Sequence, residues 1–468
     1  MQKLNRQNLL RTFITILILC ANIAYAQKLD WAINSNGSGF SYGLASDKSG
    51  NAISTGSFLD TILFYEGFGF TTLASHGGYD IFIKKNDSNG NLIWAKGIGG
   101  TGSDEGYSIT CDTSGNVFVC GWFNGTVDFN PDAPVFNLTS AGSGDAFILK
   151  LDSNGNFNWA AQIAGAGMDM ATSLALDAAA HVYISGKFTA TADFDPGVAS
   201  FPLTANGGQD AFMMRLDSSG NFNWALSFGG GFLDEANAIA VDNNANIVST
   251  GRITGNVDMD PGIGSFLLNT NGLSTAYIQK LDSLGNFIWA VFLETTASAK
   301  GESIACDALG NIYSSGNFQN QADFDPAAGN YFLSTPAPID YDIYVWKLSA
   351  AGSIEWAQQI HAYQLNGYSC IRVSPQQNIF ISGGFSGVAD FNPGPDSSLA
   401  TSNQGAFITC WDRDANFIWA RNLDATSYNY ATSLAVTTGE AVYFTGFYDG
   451  TIDLDPGYGV IQATAITN

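Results

Sequence analysis

Seven tryptophans recur along the chain at nearly constant spacing, and an alanine follows each of them. The steps between them are 63, 65, 65, 65, 67 and 63 residues, so one unit of about 65 residues is used seven times. Units 1 to 7 are counted from these tryptophans in order: Trp31, Trp94, Trp159, Trp224, Trp289, Trp356 and Trp419. A period of this length, filled with short strand patterns, is typical of a β-propeller blade.

Four strand patterns lie within one unit, and unit 2 shows them in order. Residues Ser108 to Asp112 carry the first pattern, Gly115 to Gly121 the second, Asp145 to Asp152 the third, and Phe157 to Ala161 the fourth, which holds the next repeat tryptophan. Their apolar side chains alternate as in half-buried strands, and no segment has the 3.6-residue periodicity of an amphipathic helix. The sequence therefore predicts an all-β fold, a seven-bladed β-propeller of four-stranded antiparallel blades.

The order S-I-x-x-D, G-N-V-Y-x-x-G, D-A-F-I-x-K-L-D and N-F-x-W-A resembles the SBBP repeats of bacterial β-propellers and, more distantly, NHL-type blades. The resemblance covers residues 27–468 and recurs in every unit. It is a resemblance to secreted proteins of Bacteroidota, many of which carry a C-terminal sorting domain for type IX secretion. It implies a fold and a compartment, but no defined reaction.

The first 26 residues have the pattern of a secretory signal peptide. Positive charges come first, an apolar run follows from Phe13 to Leu19, and Ala24-Tyr25-Ala26 forms a cleavage site before Gln27. The apolar run is too short to span a bilayer, and no other segment could do so. We therefore predict that residues 1–26 are removed, and that residues 27–468 form one propeller that is secreted or held at the cell surface.

The third strand pattern is one short of the others. The first and fourth patterns occur seven times each, because the residues around Trp31 supply a fourth strand, whereas the third pattern occurs six times. We expect the Trp31 strand to close the last blade, which then lacks a third strand unless residues Val460 to Thr467 fill that position out of register. Because an unpaired edge is costly and prone to aggregation, we expect the natural protein to continue beyond Asn468, with a sorting domain.

The chain is strongly acidic, with 42 Asp and Glu against 18 Lys and Arg and a formal net charge of −24. A surface of this sign repels nucleic acid and anionic membranes. The expected partner is therefore an extracellular protein or a glycan, and we expect the protein to be a monomer. The five cysteines after the leader are odd in number and irregular in position. This argues against a disulfide framework and favours small buried hydrophobic residues.

A D-[FML]-[DN]-P loop follows the second strand of units 2 to 7, with its first aspartate 34 residues after the repeat tryptophan. Its aspartates are Asp128, Asp193, Asp195, Asp258, Asp260, Asp323, Asp325, Asp390, Asp453 and Asp455. The crossover residues Asp104, Asp169 and Asp234 should lie on the same face, where they could contact a ligand. Two interpretations stay open: paired carboxylates could bind Ca²⁺, or Asp-Pro-Gly could be turn chemistry alone, since calcium needs about six to eight oxygens and the motif offers only a pair.

The opposite face carries D-S-x-G-N hairpins, which are best explained as four-residue turns. They begin at Asp87, Asp152, Asp217 and Asp282. Arg372 departs from the repeat on the first strand of unit 6, where other units have threonine or alanine, and we expect it near the central channel as a ligand contact. The three histidines occupy unrelated repeat positions, and no G-x-S-x-G nucleophile motif is present.

These features favour a binding or scaffold module with no defined catalytic activity and no cofactor other than the calcium just considered. The alternative is an extracellular propeller enzyme, a hydrolase or lyase on a polysaccharide or lactone, that uses the acidic loop face. A ring of equivalent carboxylates favours the first interpretation. A single cluster of His, Glu and Arg that breaks the repeat would favour the second, because an active site is normally one asymmetric place.

Overall fold

The computed structural model describes residues 12–19 and 28–465, with gaps at 67–68, 328, 338–339 and 456–460. Throughout these ranges the chain forms strands and turns and contains no helix. The predicted all-β fold is therefore confirmed. Within the same ranges there is no helix long and apolar enough to span a membrane.

The strands follow the four sequence patterns. The first strands are Asn36–Ser46, Glu105–Cys111, Met170–Leu176, Glu235–Val241, Ala299–Cys306, the second half of Ile354–Val373, and Asn429–Val436. The second strands are Ala52–Glu66, Val117–Phe123, Val182–Phe188, Ile247–Asp258, Ile312–Gln319, Ile379–Asp390 and Ala441–Tyr448. The third strands of units 1 to 6 are Asp80–Asn86, Asp145–Leu151, Asp210–Leu216, Leu267–Leu281, Tyr341–Leu348 and Leu399–Trp411. The fourth strands are Lys28–Asn34, Leu92–Ile98, Phe157–Gly165, Phe222–Phe228, Phe287–Phe292, the first half of Ile354–Val373, and Phe417–Asp424.

Short strands extend the loops between the second and third strands and the crossovers between units. They are Gly69–Ala74, Thr126–Asp128 with Asn137–Thr139, Thr191–Asp193 with Pro202–Thr204, Glu294–Thr295, Gln321–Asp323 with Phe332–Ser334, and Thr451–Asp453 with Gln462–Thr464. The first of these pairs with the second strand of unit 1. The loops that carry the acidic motif are therefore small hairpins attached to the ring.

Within a unit the strands pair antiparallel in chain order. In unit 2, Ile148 of the third strand pairs with Cys120 of the second strand on one side and with Ala161 of the fourth strand on the other. The first strand pairs with the second strand and forms the inner edge of the sheet. First strands from successive units line a central channel.

The glycine that ends the second pattern allows the first and second strands to approach closely. A Cβ atom at Gly121 would lie 1.9 Å from the carbonyl oxygen of Glu105, and one at Gly186 would lie 2.0 Å from that of Met170. Real Cβ atoms essentially never come within 3.0 Å of another heavy atom. The repeat therefore needs glycine here for space.

The repeat tryptophans join neighbouring units. Nε1 of Trp159 donates a hydrogen bond to the carbonyl oxygen of Ser218, in the hairpin of the next unit (3.3 Å), and Nε1 of Trp94 donates to Ser153 in the same way (3.2 Å). The indole also lies against the hairpin glycine, since a Cβ atom at Gly220 would be 2.9 Å from the Trp159 ring. The repeat tryptophans therefore pack between neighbouring blades.

Apolar clusters between adjacent sheets form the core, and the last unit packs against the first. One cluster joins Phe118 and Ile148 of unit 2 to Ile184 and Phe212 of unit 3. Across the closure, Oγ1 of Thr445 donates to Oγ of Ser41 (2.8 Å), and the phenol of Tyr443 donates to the carbonyl oxygen of Gly50 (2.6 Å). These bonds join residues about 400 positions apart. The sheets therefore close into a β-propeller.

The sheet of unit 7 has an unexpected third strand. Thr12–Leu19 pairs antiparallel with Ala441–Tyr448 on one side and with Lys28–Asn34, the strand of Trp31, on the other. Trp31 thus lies in the last sheet as predicted, but the position expected to be empty is taken by the apolar core of the predicted leader, a β-branched run with high strand propensity. Gln462–Thr464 pairs instead with Thr451–Asp453 in the acidic loop. Residues 1–11 and 20–27, with the predicted cleavage site, lie outside the described ranges.

Candidate functional site

The D-S-x-G-N hairpins at one end of the propeller are closed turns. Oδ1 of Asp152 accepts hydrogen bonds from the backbone N–H groups of Asn154 (2.8 Å) and Asn156 (2.9 Å). Oδ2 accepts from the side-chain amide of Asn156 (2.8 Å), and Gly155 has a φ of 82°. The predicted turn is confirmed, its glycine has the left-handed conformation, and its carboxylate is used within the turn.

The acidic loops at the other end are also held by hydrogen bonds from their own backbone to an aspartate. Oδ1 of Asp193 accepts from the backbone N–H groups of Asp195 (3.1 Å) and Phe201 (2.8 Å), and Oδ1 of Asp195 accepts from Gly197 (2.8 Å). The first pair of bonds recurs at Asp128, Asp258, Asp323, Asp390 and Asp453. The second recurs at Asp260 and Asp325. The side chain of the first aspartate therefore holds the loop together by accepting hydrogen bonds from the loop backbone.

These bonds also set the charge of the loops. Burial tends to raise the pKa of Asp193, but the hydrogen bonds from Phe201, Ser200 and Asp195 hold it below its usual range. Asp258 has a lowered pKa for the same reasons. Across the described ranges, no group of three or more His, Cys, Asp or Glu is arranged to hold a metal ion. The observed bonding is that of turn chemistry, and calcium binding stays a prediction.

The crossover residues Asp104, Asp169 and Asp234 are fully buried. In unit 2, Oδ2 of Asp104 accepts from the N–H of Gly100 (2.8 Å), and Oδ1 accepts from the N–H of Asn124 (3.0 Å). The carboxylate thus ties the crossover to the end of the second strand. In this arrangement the three side chains hold the loops in place and do not face solvent; their predicted ligand contact stays a prediction.

Each crossover aspartate faces a second buried aspartate, at the start of a third strand. The pairs are Asp80 with Asp104, Asp145 with Asp169, and Asp210 with Asp234. Burial, with a smaller contribution from the partner carboxylate, raises the pKa of Asp169 to about 7 and those of Asp104 and Asp234 to about 6. The sequence did not single out the second aspartate of each pair, although it is the first residue of the D-A-F-I-x-K pattern of the third strand.

The central channel is where the repeat breaks down. It has a volume of about 700 Å³ and is lined by first-strand residues. One first-strand position faces it from every unit, as Tyr42, Tyr107, Thr172, Asn237, Glu302, Ser369 and Thr432. Arg372 also lines the channel as predicted, and its Nη1 donates to the carbonyl oxygen of Ile371 (2.8 Å) and to Oγ of Ser303 (3.4 Å).

Five charged residues from units 3 to 5 form the channel cluster: Lys187, Glu235, Arg252, Lys300 and Glu302. Glu235 lies 2.9 Å from Nζ of Lys187, 3.0 Å from Nη2 of Arg252 and 3.8 Å from Nζ of Lys300. Lys300 also lies 3.1 Å from Oε1 of Glu302. Burial tends to raise the pKa of Glu235, but the three cations lower it to about 2.

The two glutamates of the cluster have opposite pKa shifts. Burial raises the pKa of Glu302, because Lys300 offsets only part of the loss of solvent. The cluster was missed from the sequence, because its members stand in different units and only a comparison of equivalent positions would single them out. Lys187 and Arg252, for example, follow the repeat glycine where unit 2 has Trp122.

A match to a protein-family model agrees with this architecture. Residues 93–127 match the family model described as "Beta-propeller repeat", SBBP. A WD repeat-containing protein of Acanthamoeba polyphaga mimivirus is 22% identical over 441 residues, which are 77% of this chain and 31% of that protein. The regulatory protein FlaEY of Caulobacter vibrioides is 28% identical over 178 residues, 37% of this chain and 18% of that protein. The WD40 domain of Neurospora crassa Pan2 aligns with a TM-score of 0.41 at 11% identity, covering 91% of each chain.

The chain therefore carries an SBBP β-propeller repeat, as the resemblance in its sequence predicted. It spans about a third or less of the length of the curated relatives it matches. Propellers of this general kind serve as binding or scaffold modules, and the same fold supports unrelated activities.

Proposed function

We propose that this protein is exported and acts as a binding or scaffold module at the cell surface or outside the cell. The observation that carries the proposal is the channel, where one equivalent position holds seven residues of at least five different types while the surrounding scaffold repeats. Repeated positions serve the fold, whereas side chains that differ from unit to unit are free to fit an asymmetric ligand. The ligand is an extracellular protein or glycan.

The proposal includes seven blades of four antiparallel strands, with the Trp31 strand as the outer strand of the last blade. It is supported by the seven repeat tryptophans and by the bonds from Thr445 and Tyr443 back to unit 1. An experimental structure with six or eight blades, or with Trp31 in another sheet, would contradict it.

Export is supported by the charged, apolar and small-residue segments of residues 1–26. Cleavage before Gln27 would remove Thr12–Leu19 from the last sheet and leave its third position to another strand. Expression of the whole gene in a bacterium that exports proteins, followed by mass spectrometry of the secreted or surface fraction, should give an N-terminus at Gln27. Full-length chain that stays in the cytoplasm would contradict export.

Binding through the channel can be tested with matched arginine variants. Arg372→Glu reverses a charge in the channel, and Arg413→Glu reverses one at an exposed hairpin, where 61% of the side chain is accessible. The exported protein would be screened on a glycan array and against extracellular proteins, with and without calcium. We expect a ligand whose binding is lost with Arg372→Glu and kept with Arg413→Glu. Absence of any ligand, or equal loss with both variants, would contradict the proposal.

A second candidate is a hydrolase or lyase on a polysaccharide or lactone, and the channel cluster is the observation that favours it. Glu302 lines the channel and burial raises its pKa, as expected of a general acid, whereas Glu235, whose pKa is lowered to about 2, stays charged and holds the lysines. This candidate places the chemistry in the channel, away from the acidic loops. Incubation with polysaccharides and lactones should release product that Glu302→Gln abolishes; unchanged substrates after long incubation would exclude it.

A further inference from the structure

We propose that the central channel binds a saccharide that carries carboxylate groups, such as a short uronate oligomer, with Lys187, Lys300 and Arg372 facing its acid groups. The proposal rests on the binding function proposed above and names the class of ligand for it. Three features of the channel carry it: the sign of its lining charges, the way the cluster buries its own carboxylates, and an aromatic wall in units 1 and 2.

The charges that line the channel have the opposite sign to the protein as a whole. The chain has more than twice as many acidic as basic residues. Among the channel-lining residues the balance reverses, with three cations, Lys187, Lys300 and Arg372, against a single carboxylate, Glu302. Because an acidic surface repels anions, a concentration of cations in this one concave place favours an anionic ligand there.

The channel cluster turns its positive ends outward. The side chains of Lys187 and Lys300 are 24% and 32% exposed, whereas those of Glu235 and Glu302 are 7% and 12% exposed. Glu235 does not line the channel and lies behind the lysines that it binds. Glu235 therefore holds the ammonium groups in position from behind, and the more exposed charges that a ligand meets in the channel are the cations. Charge-assisted hydrogen bonds to carboxylate are among the stronger polar contacts available to such groups.

The aromatic wall explains why the ligand should be a sugar acid and not a small inorganic anion. Tyr42 and Tyr107 line the channel with their ring centroids 5.4 Å apart at 67°, and Tyr42 is stacked on Phe40 at 5.9 Å. These rings are half-buried, and a tyrosine has few rotatable bonds, so they offer broad amphipathic surface at low entropic cost. A volume of about 700 Å³ admits a few sugar rings and excludes a folded protein domain.

The test is titration calorimetry of the exported protein with a galacturonate trimer, a neutral maltose-type trimer and inorganic phosphate, at low and high salt. We expect the galacturonate trimer to bind, and the neutral trimer to bind at least roughly tenfold more weakly. Phosphate should bind no more tightly than the neutral sugar, and added salt should weaken the galacturonate complex. Lys300→Gln and Arg372→Gln should each weaken galacturonate binding by roughly tenfold.

Lys96→Gln is the matched control, because Lys96 is also a lysine paired with a carboxylate, Asp132 at 2.8 Å, and its side chain is similarly exposed at 20%. It lies outside the channel and should leave binding unchanged. Thermal unfolding of each variant separates loss of a contact from loss of the fold, and Arg372→Gln leaves the cluster bonds intact. The proposal is overturned if galacturonate does not bind, if phosphate or the neutral sugar binds equally well, or if Lys96→Gln weakens binding as much as Lys300→Gln. A neutral glycan bound through the channel would overturn this inference and leave the binding function standing.

Discussion

Replacing Asp169 with asparagine should stabilise the protein at neutral pH. Asp145 and Asp169 are fully buried, and Oδ1 of Asp145 and Oδ2 of Asp169 have no hydrogen-bond partner among the described residues. Asparagine keeps the shape of the side chain and the Oδ1 acceptor used by the N–H of Thr189 (3.4 Å). It also replaces the unsatisfied oxygen with an N–H₂ donor beside the other carboxylate. A repulsive pair thereby becomes an attractive one.

The magnitude follows from the pKa. Burial raises the pKa of Asp169 from 3.8 to about 7, so the folded protein holds this proton more tightly than the unfolded chain does. The stability that the protonated form contributes is present below about pH 4 and is lost as the pH rises to about 7. A shift of about three units corresponds to at most ~4 kcal/mol, and relaxation of the loop and entry of water should reduce this to about 1 to 3 kcal/mol.

The assay is chemical unfolding at about pH 5 and about pH 7.5, because more than half of the expected loss of stability falls between these two values. Asp193→Asn is the control, because hydrogen bonds hold the pKa of Asp193 low and its carboxylate should contribute stability at both values. We expect Asp169→Asn to raise the free energy of unfolding at the higher pH and to change it less at the lower, and Asp193→Asn to lower it at both. The reasoning fails if wild-type stability does not fall between the two pH values, or if Asp169→Asn destabilises the protein at the higher one.

Three further outcomes are expected. Gly121→Ala should destabilise the protein by several kcal/mol in chemical unfolding, because its Cβ would lie 1.9 Å from a carbonyl oxygen. Gly231→Ala, with no atom within 4 Å of its Cβ, should change the stability little, and equal effects of the two substitutions would contradict the close-approach argument. Trp159→Phe should cost about 1 kcal/mol by removing the hydrogen bond to the next unit, and no loss in the same assay would show that the bond is not needed. If calcium binds the acidic loops, millimolar Ca²⁺ should raise the unfolding midpoint relative to chelator at matched ionic strength, and the triple variant Asp193→Asn, Asp258→Asn, Asp323→Asn should reduce the rise; no rise, or an equal rise in the triple variant, would leave turn chemistry alone.

The sequence by itself determined the repeating parts of this protein. Alternating apolar residues, the glycine of the second pattern and the D-S-x-G-N hairpins act over a few residues, so strand and turn positions could be read locally. The fixed spacing of the tryptophans then implied that each unit packs on the next, and Trp159 does so through the hairpin at Ser218. The family resemblance followed from the same motifs and was confirmed by the match at residues 93–127.

Only the tertiary structure decided what the non-repeating residues do. Lys187, Glu235 and Lys300 come from three different units, and Asp145 meets Asp169 across a boundary between units. The strand Thr12–Leu19 likewise reaches its place in the last sheet by pairing with Ala441–Tyr448, more than 400 residues away along the chain. Such contacts depend on how the ring closes and not on any local pattern. A periodic sequence specifies each unit and its packing on the next unit, but the side chains that line the shared channel are set by the few positions where the units differ.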